Sequence, residues 1–507
     1  MATMFRKAAA CVCGLGLATM GTSVLPGQEQ AQVVHQRAKN AIFFLGDGMG
    51  VSTVTAARIY SVGVDGNLVL DYLPYVALSR VATTDHITPD SAGTMSAMMT
   101  GVNTNSGVIG FGPTAERADF NGDGDGSPLW TLGELAKQRG LKVGVVTTAR
   151  VTHATPAAVY AHVNDRNKEN DIALQALPGD AAYNKRLGSG LDILMGGGRR
   201  FFVPNSVADE EGSNGSRPDG RDLRLEYQAA GYKYVYNQAG FDALTHDDLP
   251  VLGLFESSHV EYEYDRPSDL GGEPSLTEMT WKSVDMLEKA TQDSDQGYFL
   301  MVEGGRIDHS HHEGNAWRNL TDTLEFDRAI GAAIQRVDLR KTLIVVTADH
   351  SHVFTIAGYP MRARSDLPYA PKSADPAYLA SSHNNILDVV FDISTSGDIS
   401  VRNAQDGVPY TVLTYANGGG YRGPGPRPNP QVDVTPGFRG VIPTPVGASN
   451  SNHPAYLQEA AVPLGLGGET HSGEDVAFYG VGPNSGKIRG TMRNWQIFHI
   501  VRGALGL

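Results

Sequence analysis

The sequence predicts an α/β fold in which a large, mostly parallel β-sheet is sandwiched by helices, with loop-rich insertions. Three observations predict it: short runs rich in Val, Ile and Phe recur, helical patterns lie between them, and polar residues adjoin the runs. Uninterrupted apolar runs of this length are typical of strands buried on both faces of a parallel sheet. Such sheets bind ligands beyond the carboxyl ends of their strands.

The predicted strands and helices alternate along the chain. The apolar runs are 41–45, 143–146, 298–302, 343–346 and 476–481. The helical patterns are 52–60, 94–100, 130–139, 275–292 and 317–336. Carboxylate, hydroxyl or histidine side chains directly follow the first four runs and precede the fifth. We therefore expect four of the five polar clusters to lie at the carboxyl edge of one sheet.

The length of the chain and the changes in residue composition along it indicate one large domain with insertions. The chain has 507 residues, of which 41% are apolar and 19% charged, so it can bury a large core. We assign residues 33–507 to this domain and expect insertions at about 201–267 and about 355–468. The second insertion contains a proline-rich stretch, 422–430, that can form neither a helix nor a central strand.

The charge of the chain argues against a nucleic-acid-binding protein. The formal net charge is −14, and no basic stretch of the kind that binds a phosphate backbone occurs in the sequence. An acidic chain can still bind a small phosphorylated ligand if bound cations reverse the local field. A phosphate ligand would therefore imply a metal.

The N-terminal segment is typical of an export signal that ends near residue 32. Arg6 and Lys7 precede an apolar stretch, 8–20, which is too short to span a membrane in the mature protein. A buried N-terminal helix is the alternative interpretation. Cys11 and Cys13 lie in this stretch, so we expect a mature periplasmic or extracellular protein without disulfides.

The densest cluster of ligand-type side chains lies at residues 303–312. It holds two carboxylates and three histidines: Glu303, Asp308, His309, His311 and His312. Asp308 and His312 are four residues apart, so a helical turn places both on one face, where they can reach a single ion. Imidazole with carboxylate is a zinc-type ligand set. Solvated histidines on a surface turn are the alternative.

Two weaker clusters follow, Asp349-His350 and the lone His471. Each alone is also compatible with an ordinary loop or a structural histidine. Together, the clusters offer more ligands than one structural zinc ion requires. Two metal ions about 4 Å apart clamp the attacking and leaving oxygens of an in-line phosphoryl displacement. The combined pattern favours a site with more than one metal ion.

The candidate nucleophile is Ser91, at a predicted loop-to-helix junction. It lies in Thr88-Pro-Asp-Ser-Ala-Gly-Thr, directly before helix-forming residues. Ser91 or Asp90 could simply be the N-cap of that helix. The two roles are compatible, because a helix N-terminus also stabilises an alkoxide or a bound phosphate.

In chain order, these motifs resemble those of the alkaline phosphatase family, from about Lys39 to the C-terminus. The motifs are Gly-Asp47-Gly-Met-Gly, Pro-Asp-Ser91-Ala-Gly-Thr, His153-Ala-Thr155-Pro-Ala, Ala-His-Val-Asn-Asp-Arg166, Glu303-Gly-Gly-Arg-Ile-Asp308-His-Ser-His-His312, Thr-Ala-Asp349-His350 and Glu-Thr-His471-Ser-Gly-Glu-Asp. His153 and His309 stand where the best-known bacterial type carries Asp and Lys. The chain is therefore more similar to the animal-type branch.

The resemblance implies a single catalytic domain, with a crown-like second insertion, that hydrolyses small phosphate monoesters through a phosphoserine at Ser91. Arg166 would grip two phosphate oxygens with its planar guanidinium, a role that lysine cannot reproduce. An ordinary surface arginine is the alternative for Arg166. The implied cofactors are two Zn²⁺ and one Mg²⁺. Their ligands would be Asp308, His312 and His471 for the first zinc ion, Asp47, Asp349 and His350 for the second, and Asp47, Thr155 and Glu303 for magnesium, with His153 and His309 outside the ligand sphere.

Two further features follow from the resemblance. Animal-type members carry a calcium site in an insertion, and Phe255-Glu256 and Glu273-Pro-Ser-Leu resemble two parts of it, although Glu273 replaces an aspartate. The third part, near 209–211, aligns poorly, so Ca²⁺ and a charged, solvated loop both remain open. The family also implies a homodimer with the second insertion at or near its interface.

Two alternatives to a monoesterase remain. One is a relative on the same fold, such as a phosphodiesterase, a sulfatase or a cofactor-independent mutase. Diesterases usually present Thr and sulfatases a modified Cys or Ser, and these relatives generally lack the combination of Arg166 with the magnesium site. The other is a non-catalytic exported binder of metal or phosphate, whose function would survive Ser91→Ala.

Overall fold

The computed structural model describes residues 37–119, 126–363, 373–374, 383–405, 407–421 and 453–507. The predicted signal and both cysteines lie outside these residues. The strands are β1 (Asn40–Gly46), β2 (Tyr75–Arg80), β3 (Lys142–Arg150), β4 (Ile193–Gly197), β5 (Lys233–Val235), β6 (Val251–Leu254), β7 (Tyr298–Gly304), β8 (Thr342–Thr347), β9 (Ser351–His352), β10 (Phe354–Ile356), β11 (Ser373–Ala374), β12 (Phe391–Ile393), β13 (Asp398–Val401), β14 (Leu413–Gly418), β15 (Glu459–Pro463), β16 (His471–Ser472), β17 (Val476–Val481) and β18 (Thr491–Arg493). The helices are α1 (Val51–Val62), α2 (Ser91–Thr100), α3 (Leu132–Gln138), α4 (Ala154–Ala157), α5 (Glu169–Gln175), α6 (Leu223–Ala229), α7 (Gln238–Asp242), α8 (Leu276–Thr291), α9 (Arg306–His312), α10 (Ala316–Arg336) and α11 (Gln496–Leu505).

A ten-stranded sheet with the order β18-β2-β17-β8-β1-β7-β3-β4-β6-β5 forms the centre of the fold. Only β17 among these described strands runs antiparallel to its neighbours, so the sheet is mostly parallel. The five apolar runs of the sequence are five adjacent strands in its middle, β17-β8-β1-β7-β3. The predicted α/β class is therefore confirmed.

Strand β1 shows why these sequences form central strands. Every residue of β1 is buried, and alternate side chains point to opposite faces. Phe43 and Leu45 pack in one core cluster, which includes residues of α2, α3 and α11. Ile42 and Phe44 pack in the other, which includes residues of α1, α8 and α10. Phe44 meets Phe326 of α10 edge to face, with ring centroids 5.9 Å apart. The sheet thus has a helical layer on each face.

The two predicted insertions differ in how they relate to this sheet. Residues 201–267 contain β5 and β6, which extend the main sheet in parallel. The described strands within and around 355–468 form two small three-stranded sheets, β10-β14-β15 and β11-β13-β12. The domain boundaries themselves stay a prediction. Among the described helices, none combines the length and the apolarity needed to cross a bilayer.

Candidate metal centre

Polar side chains converge beyond the carboxyl ends of β8, β1 and β7. Asp47 directly follows β1, Glu303 lies at the end of β7, and Asp349 and His350 follow β8. Strand β1 pairs in parallel with both neighbours, with Leu45 opposite Glu303 on one side and Thr347 on the other. The three strand ends therefore meet at one edge, where all four side chains are fully buried.

The first group of candidate ligands is Asp47, Asp349 and His350. Nε2 of His350 lies 3.4 Å from Oδ1 of Asp47 and 3.3 Å from Oδ2 of Asp349. Ser91 joins this group, since its Oγ lies 3.2 Å from Nε2 of His350 and 3.4 Å from Oδ1 of Asp47. The serine hydroxyl thus faces the predicted second zinc site.

The second group is Asp308, His312 and His471. The first two lie one turn apart on α9, and Nε2 of His312 is 3.4 Å from Oδ1 of Asp308. Nε2 of His471, from β16, is 3.2 Å from the same oxygen and 3.1 Å from Nε2 of His312. Three ligand atoms from two distant segments therefore face one another, as a shared ion requires.

The third group surrounds the predicted magnesium site. Asp47, His153 and Glu303 each offer a ligand atom within 4.8 Å of the others. Oδ2 of Asp47, Oε1 of Glu303 and Oγ1 of Thr155 are buried without a hydrogen-bond partner among the described residues. Buried polar atoms are rarely left unpaired, because each costs about 1–3 kcal/mol. These oxygens fit the ligands of a hard cation. His309 lies near them, its ring 5.6 Å from that of His153.

The electrostatics of the site favour bound cations. Burial, followed by repulsion from Asp349, Asp308 and Glu303, raises the pKa of Asp47 well above its ordinary value. Burial is also the main reason why the pKa of Glu303 rises to about 8. The pKa of His350 is held well below its usual range by burial and by His471. Closely spaced carboxylates repel one another, and a bound divalent cation offsets that repulsion. Neutral imidazoles have a lone pair free to bind a metal ion.

Asp90, and not Ser91, is the N-cap of α2. The Asp90 carboxylate accepts a hydrogen bond from the backbone N–H of Gly93 at 3.1 Å, and another from Gly107 at 3.0 Å. Ser91 is the first residue of the helix, and it is 2% exposed. Its hydroxyl is therefore available to the metal centre while its neighbour caps the helix.

Arg166 is not an ordinary surface arginine. Its Nη1 donates to Oδ2 of Asp90 at 2.9 Å, and its Nη2 lies 3.0 Å from Nε2 of His153. Its side chain is 16% exposed. Arg166 is thus held beside Ser91, with its guanidinium facing the candidate centre.

Sequence reasoning missed His352, which holds the second group in place. Nε2–H of His352 donates to Oδ1 of Asp308 at 2.8 Å, and Nδ1–H donates to Oε2 of Glu469 at 2.6 Å. Burial opposes protonation, but Glu469 and Asp308 outweigh it and raise the pKa of His352 to about 9. The only sequence feature that could have indicated His352 is its position two residues after His350. That position places His352 at the site only because β9 pairs with β16, with His352 opposite His471.

His259 was missed as well. Its ring lies 4.0 Å from that of His309, and its Nδ1 accepts from the backbone N–H of Arg150 at 3.2 Å. It belongs to a group of imidazoles, with His153 and His309, beside the candidate magnesium site. No motif in the sequence connects it to that site.

The predicted calcium residues are only partly brought together. The carboxylates of Glu256, Glu211 and Asp269 lie close enough to share an ion, and they line a cavity of ≈ 450 Å³. Burial, then Glu211, raises the pKa of Glu256 to about 7. Glu273 is outside this trio: it is buried, accepts from the N–H of Glu261 at 2.8 Å, and leaves Oε2 unpaired within the described chain. Phe255, directly after β6, is fully buried.

Comparison with known proteins gives one consistent result. Residues 38–507 match the profile of the alkaline phosphatase family. The tissue-nonspecific alkaline phosphatase of Homo sapiens is 37% identical over 487 residues, covering 92% of this chain and 83% of that protein. The Gallus gallus isozyme is 38% identical, covering 91% and 83%. Among solved structures, the alkaline phosphatase of Thermus thermophilus superposes with a TM-score of 0.62 at 24% identity, covering 95% of this chain and 96% of that one. That likeness shows a shared fold.

Proposed function

The chain belongs to the alkaline phosphatase family of phosphoric monoester hydrolases, and from this premise we propose that it hydrolyses small phosphate monoesters through a phosphoserine at Ser91. The observation that carries the proposal is the position of the Ser91 hydroxyl. It lies within 3.4 Å of ligand atoms from both Asp47 and His350, at the N-terminus of α2. A helix start of this kind also stabilises a bound phosphate.

The proposed cofactors are two Zn²⁺ and one Mg²⁺. Asp308, His312 and His471 would hold one zinc ion, Asp47, Asp349 and His350 the other, and Asp47, Thr155 and Glu303 magnesium. The support is the buried oxygens without partners and the facing imidazole nitrogens. When bound, such ions act as Lewis acids that lower the pKa of a hydroxyl group and neutralise charge on phosphoryl oxygens.

In the proposed reaction, Oγ of Ser91 gives its proton to water and attacks phosphorus. The ester P–O bond breaks, the leaving alkoxide takes a proton from water to become the alcohol, and the phosphoryl group stays on Ser91 until a second water hydrolyses it and releases phosphate. Attack and departure are in line. Because Ser91 adjoins Asp47 and His350, the alcohol would depart on the side of the second group, toward His312 and His471.

Arg166 is the proposed phosphate-binding residue. Asp90 engages one N–H of Nη1 and His153 lies against Nη2, so three of the five guanidinium N–H groups remain to donate to phosphate oxygens. Asp90 thereby sets the orientation of Arg166 and caps α2. This coupling fixes the phosphate relative to Ser91.

The test is phosphate release from p-nitrophenyl phosphate at alkaline pH. We expect turnover that a chelator abolishes and that zinc with magnesium restores. Ser91→Ala should reduce kcat by a factor on the order of 10³ or more while zinc binding is retained. A non-catalytic binder predicts no turnover in folded, metal-loaded protein, and that result would end the proposal.

We propose calcium for the trio Glu211, Glu256 and Asp269, with Glu273 behind it and Phe255 in the adjoining chain. Calcium prefers carboxylate oxygens, and the raised pKa of Glu256 reflects a buried negative group without a sufficient counter-charge. After chelation, added calcium should raise the Tm of the wild type but not of Glu256→Gln. An equal Tm shift in both proteins would contradict the proposed calcium site and favour a solvated acidic loop.

Export to the periplasm or the extracellular space, and assembly as a homodimer, complete the proposal. Both rest on the sequence and the family. Mass spectrometry of the N-terminus of the exported protein would locate the cleavage point, expected near residue 32. Light scattering of the purified protein should give twice the mass of one mature chain, and the mass of one chain would contradict the dimer.

A further inference from the structure

The motif that ends in Arg166 contains a histidine that the proposed reaction leaves unused. His162 lies four residues before Arg166, and its side chain is 10% exposed. Its Nδ1–H donates to the Gly110 carbonyl at 2.9 Å, and its Nε2–H donates to Oε1 of Glu134 at 2.6 Å. A neutral imidazole carries one N–H, so the ring needs both protons to donate to both acceptors. His162 is therefore held as a cation between Gly110 and Glu134.

Glu134, on α3, is a fixed anchor for this ring. The carboxylate is fully buried, and it accepts from the N–H of Thr131 at 2.9 Å and from Nδ2 of Asn184 at 2.6 Å. The same nitrogen of Asn184 donates to the Tyr160 carbonyl at 2.7 Å. Burial opposes ionisation of Glu134, but His162 and Asn184 outweigh it and lower its pKa. A charged carboxylate with this many donors leaves the His162 ring little freedom to move.

The loop that contains Gly110 is paired with the segment that carries Arg166. Ile109 and Val163 exchange two backbone hydrogen bonds, at 2.9 and 3.1 Å. Three residues after Val163, the N–H of Arg166 donates to the Gly107 carbonyl at 2.9 Å. The two segments are thus antiparallel, and the register of their pairing fixes the backbone from which the Arg166 side chain extends.

The same loop holds the partner of the guanidinium. The Gly107 N–H lies 3.0 Å from each carboxylate oxygen of Asp90, which accepts from Nη1 of Arg166 at 2.9 Å. At the other end of the loop, Gly110 has a φ of 71°, and a Cβ there would lie 2.5 Å from Nδ1 of His162. The loop is therefore in close contact with the His162 ring, and it meets Arg166 both at the backbone and through Asp90.

We propose that His162 is a positioning residue for Arg166. Its hydrogen bond to Gly110 fixes the register of the loop, and the loop fixes Arg166 and Asp90 relative to the N-terminus of α2. This inference rests on the proposed function, because it concerns how Arg166 meets the phosphate. A shift of about 1 Å in a positioned group is enough to weaken such a contact.

The test compares two amide variants that each keep one of the two donors. The side-chain N–H of glutamine can replace Nε2–H and keep the Glu134 contact, whereas that of asparagine can replace Nδ1–H and keep the Gly110 contact. In the metal-loaded enzyme, His162→Gln should raise the inhibition constant of inorganic phosphate and KM by about three- to tenfold, with a smaller change in kcat. His162→Asn should keep the wild-type inhibition constant but lower the Tm. His246→Gln, at an exposed histidine, is the matched control and should change neither quantity.

A second comparison determines whether the effect passes through Arg166. Arg166→Ala should itself raise the inhibition constant of phosphate, and adding His162→Gln should then change that constant by less than about twofold. The zinc concentration for half-maximal reactivation of the chelated His162→Gln variant should equal that of the wild type. A histidine that merely supports the fold predicts the same factor with and without the Arg166 side chain.

Several results would overturn the proposal. They are an unchanged inhibition constant in His162→Gln, the same factor in both Arg166 backgrounds, and equal impairment of the two amide variants. A His162→Gln chain that fails to fold would also overturn it, because the Gly110 contact would then serve folding. If the wild type hydrolyses no phosphate monoester, or if Arg166→Ala leaves the inhibition constant unchanged, the proposed function itself fails.

Discussion

Asp90 and Ser91 have separate tasks at the first turn of α2. Asp90 accepts from Gly93 and holds Arg166. Burial opposes ionisation of Asp90, but Arg166 and the N–H groups of Gly107 and Gly93 outweigh it and lower its pKa. Ser91 is then free of capping, and its hydroxyl faces Asp47 and His350. One dipeptide therefore positions both the proposed nucleophile, Ser91, and the proposed phosphate-binding residue, Arg166.

His352 is the residue whose removal best tests the support of the metal ligands. His352→Asn would remove the hydrogen bonds that His352 makes to Asp308 and Glu469. Loss of such outer partners typically changes metal affinity by about 10–100-fold. We expect the zinc concentration for half-maximal reactivation of the chelated enzyme to rise by about that factor. Activity at saturating zinc should largely recover.

The control is His246→Asn, which removes an exposed histidine paired with Asp285 at 2.7 Å. Its zinc requirement should equal that of the wild type. An unchanged zinc requirement in His352→Asn would show that Asp308 is oriented without His352.

Residue spacing alone predicts a shared ion only where the grouping is local. Asp308 and His312 share a helical turn, so their spacing predicts a common ion, whereas the grouping of Asp47 with Asp349 was predicted only through the family resemblance. His352 forms its contacts only through the pairing of two-residue strands, β9 and β16, that are more than a hundred residues apart. No periodic pattern in the sequence encodes such a short, distant pairing.

At the scale of elements, the turn from β1 to α1 shows how closely the backbone passes the site. Gly48 has a φ of 66°, in the left-handed region that favours glycine, and its N–H donates to Oδ1 of Asp349 at 3.1 Å. A Cβ at this position would lie 2.5 Å from ring atoms of His352. The turn can therefore carry only glycine without displacing the site.

Gly48→Ala tests this turn against a matched glycine. Gly231→Ala has the same kind of backbone, with a φ of 93°, but its Cβ would meet nothing within 4 Å. Both substitutions should cost about 1–2 kcal/mol of unfolding free energy from backbone strain. Gly48→Ala should cost about 1–3 kcal/mol more from the clash and raise the zinc requirement. Equal unfolding free energies in denaturant titrations of the two variants would contradict the close approach to His352.

Most strands that the sequence predicted are buried on both faces, although β17 alternates between buried and half-buried residues and the fully buried β4 was missed. Strands β1, β7 and β8 are buried throughout, so their apolar runs are uninterrupted. Strand β2 was missed because four of its six residues are exposed, which removes the continuous apolar run. Strands β5 and β6 are only three and four residues long, and they lie in a segment that was expected to be an insertion.

At the scale of the whole molecule, the metal centre joins segments from β1 to β16 and should contribute to global stability. An ion present at a thousand times its Kd stabilises the folded state by about 4 kcal/mol, provided that it does not bind the unfolded chain. Chelation should therefore lower the unfolding free energy by several kcal/mol, and restored zinc and magnesium should recover it. Identical denaturant titrations with and without chelator would show that no ion bound at the centre contributes to the unfolding free energy.

Fold class and family followed from the sequence because both depend on patterns along the chain. The contacts of His259 with His309 and Arg150 did not, because they form only in the assembled structure.

The most direct test of Ser91 as the nucleophile is phosphopeptide mapping of the metal-loaded enzyme after acid quench during turnover of a phosphate monoester. We expect phosphate at Ser91, on the peptide that contains it, and no phosphate there when the metal ions are removed beforehand. Turnover without phosphate on Ser91, or with phosphate on another side chain, would contradict the central claim that this hydroxyl is the nucleophile of the centre.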